Sequence, residues 1–103
     1  MNKAQTDYLL RTAGRYVWWK TPEAAAEQPH RLIARIMDIG MLDDVRELLE
    51  LFPRDDLRDI LNNAAIGQFR DRSWHFWHYY LTGCGLGEVP PLPAERIQHV
   101  REL

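Results

Sequence analysis

The sequence predicts an all-α protein: a compact array of five or six short helices followed by an extended, Pro-rich C-terminal segment. Three observations carry this prediction. Apolar residues recur with the spacing of one helix face through residues 29–82. Helix starts and stops punctuate the chain at Thr21-Pro22, Pro29, Gly40, Pro53, Ser73 and Gly83. The 103 residues are 46% apolar and include four Trp, enough for one core in a single domain over 1–103. No sheet of three or more strands is expected.

The elements follow in order. Residues 6–13 read as a first short helix, with Thr6 or Asp7 as its N-cap and Gly14 as its stop. Tyr16-Val17-Trp18-Trp19 is an apolar link. Thr21-Pro22-Glu23 places a capping Thr, a Pro at the first helical position and an acid in the first turn. Residues 29–39 begin at Pro29, carry Leu32, Ile33, Ile36 and Met37 on one stripe, and stop at Gly40. Asp43-Asp44-Val45-Arg46-Glu47-Leu48-Leu49 then matches Asp55-Asp56-Leu57-Arg58-Asp59-Ile60-Leu61, twelve residues on, across Pro53. Two similar helices in an antiparallel hairpin are expected, because a period of twelve falls short of the ~20–50 residues of a solenoid unit.

Ser73 reads as the cap of the last strong helix, 73–82, closed by Gly83. Trp74, Trp77, His78 and Leu81 share one face, and Phe76 and Tyr80 another. A helix so aromatic on several sides is expected at the centre of the fold. Trp77, Leu48, Leu61 and Ile36 are the expected core. Glu88 to Pro93 should be extended and stiff, packed across its own domain by Leu86 and Leu92. Residues 94–103 are expected to form a frayed helix or no element.

Composition narrows the function classes. Net charge is −2 and the isoelectric point about 6.0. Direct nucleic-acid binding is not expected, since such domains carry a basic patch or a pI above ~9. No apolar run approaches the ~20 residues of a membrane span, and the N-terminus lacks the apolar core of a signal peptide. A cytoplasmic protein is expected. One cysteine, Cys84, provides neither a disulfide framework nor a multi-Cys metal site. His75 and His78 are spaced for one metal, but no third ligand follows at a useful spacing. No cofactor is implied.

The charge is unevenly spread. Residues 1–20 hold Lys3, Arg11, Arg15 and Lys20 against Asp7, a local +3. Residues 38–59 hold Asp38, Asp43, Asp44, Glu47, Glu50, Asp55, Asp56 and Asp59 against Arg46, Arg54 and Arg58, a local −5. The acidic stretch is a candidate face for a basic protein, with Asp43, Glu47, Glu50 and Asp59 as its candidate contacts. Trp18 and Trp19 are candidates too, because Trp at a surface is a typical interface anchor. Being adjacent, they are expected to divide, one into the core and one outward. Pro90 and Pro91 complete the candidate interface.

Two resemblances bear on function. Arg70-Asp71-Arg72-Ser73-Trp74-His75 resembles the Arg and His motif of HEPN-type ribonucleases, which are all-helical. That resemblance implies that Arg70 stabilises a phosphorane while His75 moves a proton. A wider one covers Tyr16 to Pro93. Trp18-Trp19, Pro22-Glu23-Ala24, Pro29-His30-Arg31-Leu32-Ile33-Ala34, Met37 with Gly40, Ser73-Trp74 with Phe76-Trp77-His78, and Pro90-Pro91-Leu92-Pro93 together resemble a family of small bacterial helical proteins. Genes of that family often lie beside those of AbiEii-type nucleotidyltransferase toxins. The resemblance implies a non-catalytic interaction module, an antitoxin or another partner of the toxin. The chain departs from that family at His75, where relatives carry a small residue, and at Ile66-Gly67-Gln68-Phe69, where they tend to a Pro-Gly-Trp-like stretch. A ribonuclease and a helical homodimer of unrelated role are the alternatives.

Overall fold

A computed structural model describes residues 1–94. Six helices follow one another: α1 (Lys3–Tyr16), α2 (Pro22–Ala26), α3 (Pro29–Ile39), α4 (Leu42–Leu51), α5 (Arg54–Asn62) and α6 (Asp71–Thr82). No strand occurs among the described residues, so the protein is all-α. Apart from Ala94, the expectation for 94–103 lies outside the described residues.

The centre belongs to α3, not to α6. α3 packs against each of the other five helices. Its buried side is aliphatic and compact: Leu32, Ile33, Ala34, Ile36 and Met37. Small and branched side chains let five neighbours approach one short cylinder, as ridges-into-grooves packing requires. α6 buries only one side, with Trp74, Trp77, His78 and Leu81 inward. Phe76, Tyr79 and Tyr80 face out, and Phe76 stacks on Tyr80 with centroids 5.9 Å apart. The expected core residues Trp77, Leu48, Leu61 and Ile36 are all buried.

Three local expectations need correction. α1 starts at Lys3 and runs through Gly14 to Tyr16. Its cap is Asn2, whose side-chain oxygen accepts from Gln5 N–H at 2.8 Å while the Gln5 side-chain oxygen accepts from Asn2 N–H at 3.0 Å. This is a capping box. Gly14 costs the helix about 1 kcal/mol relative to Ala, and burying Tyr16 in the next half-turn, worth about 1.5–3 kcal/mol, outweighs it.

α6 begins at Asp71, with Arg70 as N-cap, so Ser73 lies inside the helix. Its hydroxyl donates instead to Asp38 of α3. The same carboxylate accepts the backbone N–H of Arg70 at 2.9 Å. The α6 N-terminus is thus capped by a side chain from another helix. α4 and α5, finally, do not pair as a hairpin. α4 packs on α1 and α3, and α5 on α3 and α6. Pro53 lies between them with extended backbone and serves as the N-cap of α5.

Two glycines are required by geometry. A side chain at Gly40 would place its Cβ 2.3 Å from the Ile36 carbonyl oxygen, so the α3–α4 corner closes only on glycine. Gly83 ends α6 at φ 70°, in the left-handed region. Beyond it, the Pro-rich segment packs back on the core through Val89 and Leu92, while Leu86 stays exposed. Trp74 Nε1 donates to the Pro90 carbonyl at 2.7 Å and pins the segment to α6.

Candidate interaction site

The acidic stretch meets the basic one inside the molecule. Arg11 of α1 makes a two-pronged pair with Glu47 of α4, at 2.7 and 3.1 Å. Arg15 pairs with Asp44, which also accepts the hydroxyl of Tyr16. Asp55 pairs with Arg58, and Asp38 with Arg70. The basic and acidic stretches of the sequence thus meet in part inside the molecule, through two ion pairs between α1 and α4. Asp43, Glu50 and Asp59 remain exposed without ion pairs among the described residues. Asp59 stands on α5, whose neighbours are α3 and α6 rather than α4. Of the four acids named as contacts, Glu47 is thus committed to Arg11, and the other three stand on two helices.

Burial of Asp44 among two phenols has an electrostatic consequence. Tyr8 and Tyr16 are held above the ordinary phenol range, first because both are desolvated. For Tyr8 the Asp44 and Glu47 charges add to this, and for Tyr16 the hydrogen bond to Asp44 does. Tyr8 also donates to the Asp44 carbonyl at 2.6 Å, and Tyr16 accepts from Met41 N–H at 2.9 Å. These phenols are structural: they tie α1 to the start of α4.

Trp18 and Trp19 are both outside. They occupy the tip of a turn closed by the Lys20 N–H to Val17 carbonyl bond, 3.1 Å. A turn points its two central side chains away from the chain's interior, so the expected division between core and surface fails; Val17 takes the core position instead. Trp18 is 72% exposed and Trp19 54%. Their rings meet edge to face, centroids 5.6 Å apart. Arg35 of α3 lies over the Trp19 ring, 5.4 Å from its centroid, which fixes the indole by a cation–π contact.

Beside this corner opens a hollow of about 180 Å³. Val17, Ala25 and Leu32 supply apolar surface, Trp19 lines it, and Lys20, Arg31 and Arg35 supply charge. Gly67 and Gln68, before α6, also line it. Sequence reasoning singled out the two Trp but missed Lys20, Arg31 and Arg35. Their spacing of four along α3 puts Arg31 and Arg35 on one side of the helix, a signal present in the sequence. That Lys20 joins them depends on the turn, which it does not announce.

The remaining candidates do not converge. Arg70 is held at α3, its guanidinium donating to the Asp38 carbonyl at 3.1 Å. His75 lies on α6, with Nδ1 2.8 Å from the Asp71 carbonyl. The two groups of the ribonuclease motif thus have separate partners and share no hydrogen bond among the described residues. His78 is buried against Trp74, its Nδ1 2.8 Å from the Trp74 carbonyl, while His75 is half-exposed. No group of three metal-ligating side chains occurs among the described residues. Cys84 is a half-exposed free thiol. Pro90 and Pro91 are exposed on a segment whose neighbours pack on its own core. No described helix is long and apolar enough to cross a membrane. Comparison with protein-family models, with curated proteins and with solved structures finds nothing that this chain matches.

Proposed function

We propose that this chain is a non-catalytic protein-interaction module, and that its partner is a nucleotidyltransferase toxin of the AbiEii type, which it binds in the cytoplasm. The observation that supports the first part is the Trp18–Trp19 corner. Two adjacent indoles left outside a core that has room for Trp74 and Trp77 present a large apolar surface to solvent. Trp and Arg dominate the energetics of protein interfaces, and here Arg35 stands against Trp19. The wider resemblance over Tyr16 to Pro93 supports the choice of partner.

The test is co-expression with an AbiEii-type nucleotidyltransferase, followed by co-purification and growth measurement. The parent chain should co-purify and restore growth. The Trp18→Ala, Trp19→Ala double variant should fold yet lose at least tenfold in affinity. Arg70→Ala and His75→Ala should protect like the parent, because no catalysis is involved. Failure of the parent to bind the enzyme would remove the proposed partner. Ribonuclease activity that disappears with His75→Ala would replace the reading altogether.

A further inference from the structure

We infer that the hollow beside Trp19 is a receptor for an acidic peptide segment, one that carries a carboxylate next to an aliphatic side chain. The inference rests on the interaction-module reading above and specifies what the module recognises. Three observations lead to it.

The first is charge. Lys20, Arg31 and Arg35 all line the hollow, and no Asp or Glu does. None of the three has a carboxylate within ion-pair distance among the described residues. By contrast Arg11, Arg15, Arg58 and Arg70 are each paired within the chain. In a protein of net charge −2, three cations converging on one acid-free hollow create a local field opposite to the protein's own.

The second is the orientation of Arg35. Its Nε donates to the Tyr16 carbonyl at 3.1 Å, and its guanidinium rests against Trp19. The first contact holds the Nε edge of the planar group, and the second keeps the group beside the indole. Its two terminal nitrogens make no hydrogen bond among the described residues. A guanidinium fixed at Nε with a free fork is arranged for a two-pronged bond to a carboxylate. Lys20 is less committed: it reaches Gln28 Oε1 at 3.3 Å, which leaves further N–H donors. Arg31 is exposed and makes no side-chain hydrogen bond among the described residues.

The third is size. A hollow of about 180 Å³ falls below the ~300–1,000 Å³ of small-molecule and cofactor pockets. It suits one side chain of a partner. Val17, Ala25 and Leu32 give it apolar walls for an aliphatic anchor. Single-stranded nucleic acid is the competing occupant, since Trp and Arg also stack on bases. Such binders string their cations along a groove that follows the backbone. Here the three cations line one small hollow, which favours the peptide.

The experiment titrates the full chain with synthetic peptides, followed by tryptophan fluorescence and by the indole and Arg Nε signals in NMR. The probe is acetyl-Glu-Glu-Leu-Glu-Glu-amide. Controls are the same peptide with Lys for Glu, the same peptide with Gly for Leu, and an oligouridylate. The acidic Leu peptide should bind, shift the Trp19 and Arg35 signals, and weaken as salt rises. The Gly peptide should bind at least threefold more weakly. R31Q should lose about tenfold while melting at the parental temperature, and R35Q should lose as much with a lower melting temperature, because it also gives up the bond to the Tyr16 carbonyl. Equal binding of the Lys peptide, preferential binding of the oligouridylate, or no shift at Trp19 with millimolar acidic peptide would overturn the inference. If the peptide binds and the nucleotidyltransferase does not, the receptor stands and the proposed partner falls. If the nucleotidyltransferase binds and the acidic peptide does not, the receptor falls and the partnership stands.

Discussion

The carboxylate of Asp38 on α3 accepts the backbone N–H of Arg70 at 2.9 Å, and so caps a helix whose N-cap residue lies 32 positions later. It also accepts the hydroxyl of Ser73, and its side chain is nearly buried. Asp38→Ala should therefore destabilise the protein by about 1–2 kcal/mol, the range for a lost cap. Asp38→Asn keeps an acceptor oxygen and should lose less. Urea denaturation midpoints of the two variants give the comparison; equal midpoints for Ala and parent would show that α6 does not need this cap.

Trp77 fills the space between α6 and α3, and its Nε1 donates to the Met37 carbonyl at 2.7 Å. Trp77→Ala should cost about 3–5 kcal/mol, a large share of the ~5–15 kcal/mol typical of a domain. Trp18→Ala removes an indole that is mostly in water and should change stability by less than about 0.5 kcal/mol. Thermal melts of the two variants separate the core Trp from the surface one.

The glycine within α1 and the glycine at the α3–α4 corner should respond in opposite directions. Gly14 sits in a helix with nothing within 4 Å of the place a Cβ would take, so Gly14→Ala should stabilise by about 0.5–1 kcal/mol. Gly40→Ala drives a Cβ against the Ile36 carbonyl and Val45. It should destabilise by about 1–3 kcal/mol. Chemical denaturation of both variants tests the pair together.

Alkaline pH should weaken the fold. Tyr8 and Tyr16 are raised above the ordinary phenol value by burial and by the acids beside them. The folded state thus keeps two phenolic protons that the unfolded chain releases near pH 10. Their contribution is complete below that pH and is lost as pH rises through the folded values. Melting temperature should fall above about pH 10. Tyr8→Phe and Tyr16→Phe, though less stable at neutral pH, should show a shallower fall; an unchanged slope would exclude these two groups as its source.

Helices were legible wherever a local rule governs them. The α3 stripe of Leu32, Ile33, Ile36 and Met37, the Thr21-Pro22 start and the Gly83 stop depend on a few adjacent residues, and the structure has them all. What was not legible depended on distant partners. Ser73 looks like a cap until Asp38 arrives from α3. Gly14 looks like a stop until Tyr16 finds Asp44. Asp43 to Asp59 look like an open acidic face until Arg11 and Arg15 cover part of it. The Asn2–Gln5 capping box was local and readable, and was missed because Thr6 and Asp7 offer a competing start. Trp18 and Trp19 were readable as a pair, but their direction was set by a turn that only the closed chain displays.

The position of α3 also bears on how the molecule opens. A helix in contact with all five others cannot be released while any neighbour remains docked in its native place. Its amide hydrogens should exchange with solvent only when the entire chain unfolds, whereas α2, five residues long, can open locally. Hydrogen exchange should then report one cooperative unit built around α3, with the turn between α1 and α2 at its edge. The Trp18–Trp19 surface lies at that edge, where a partner can reshape it without unfolding the core.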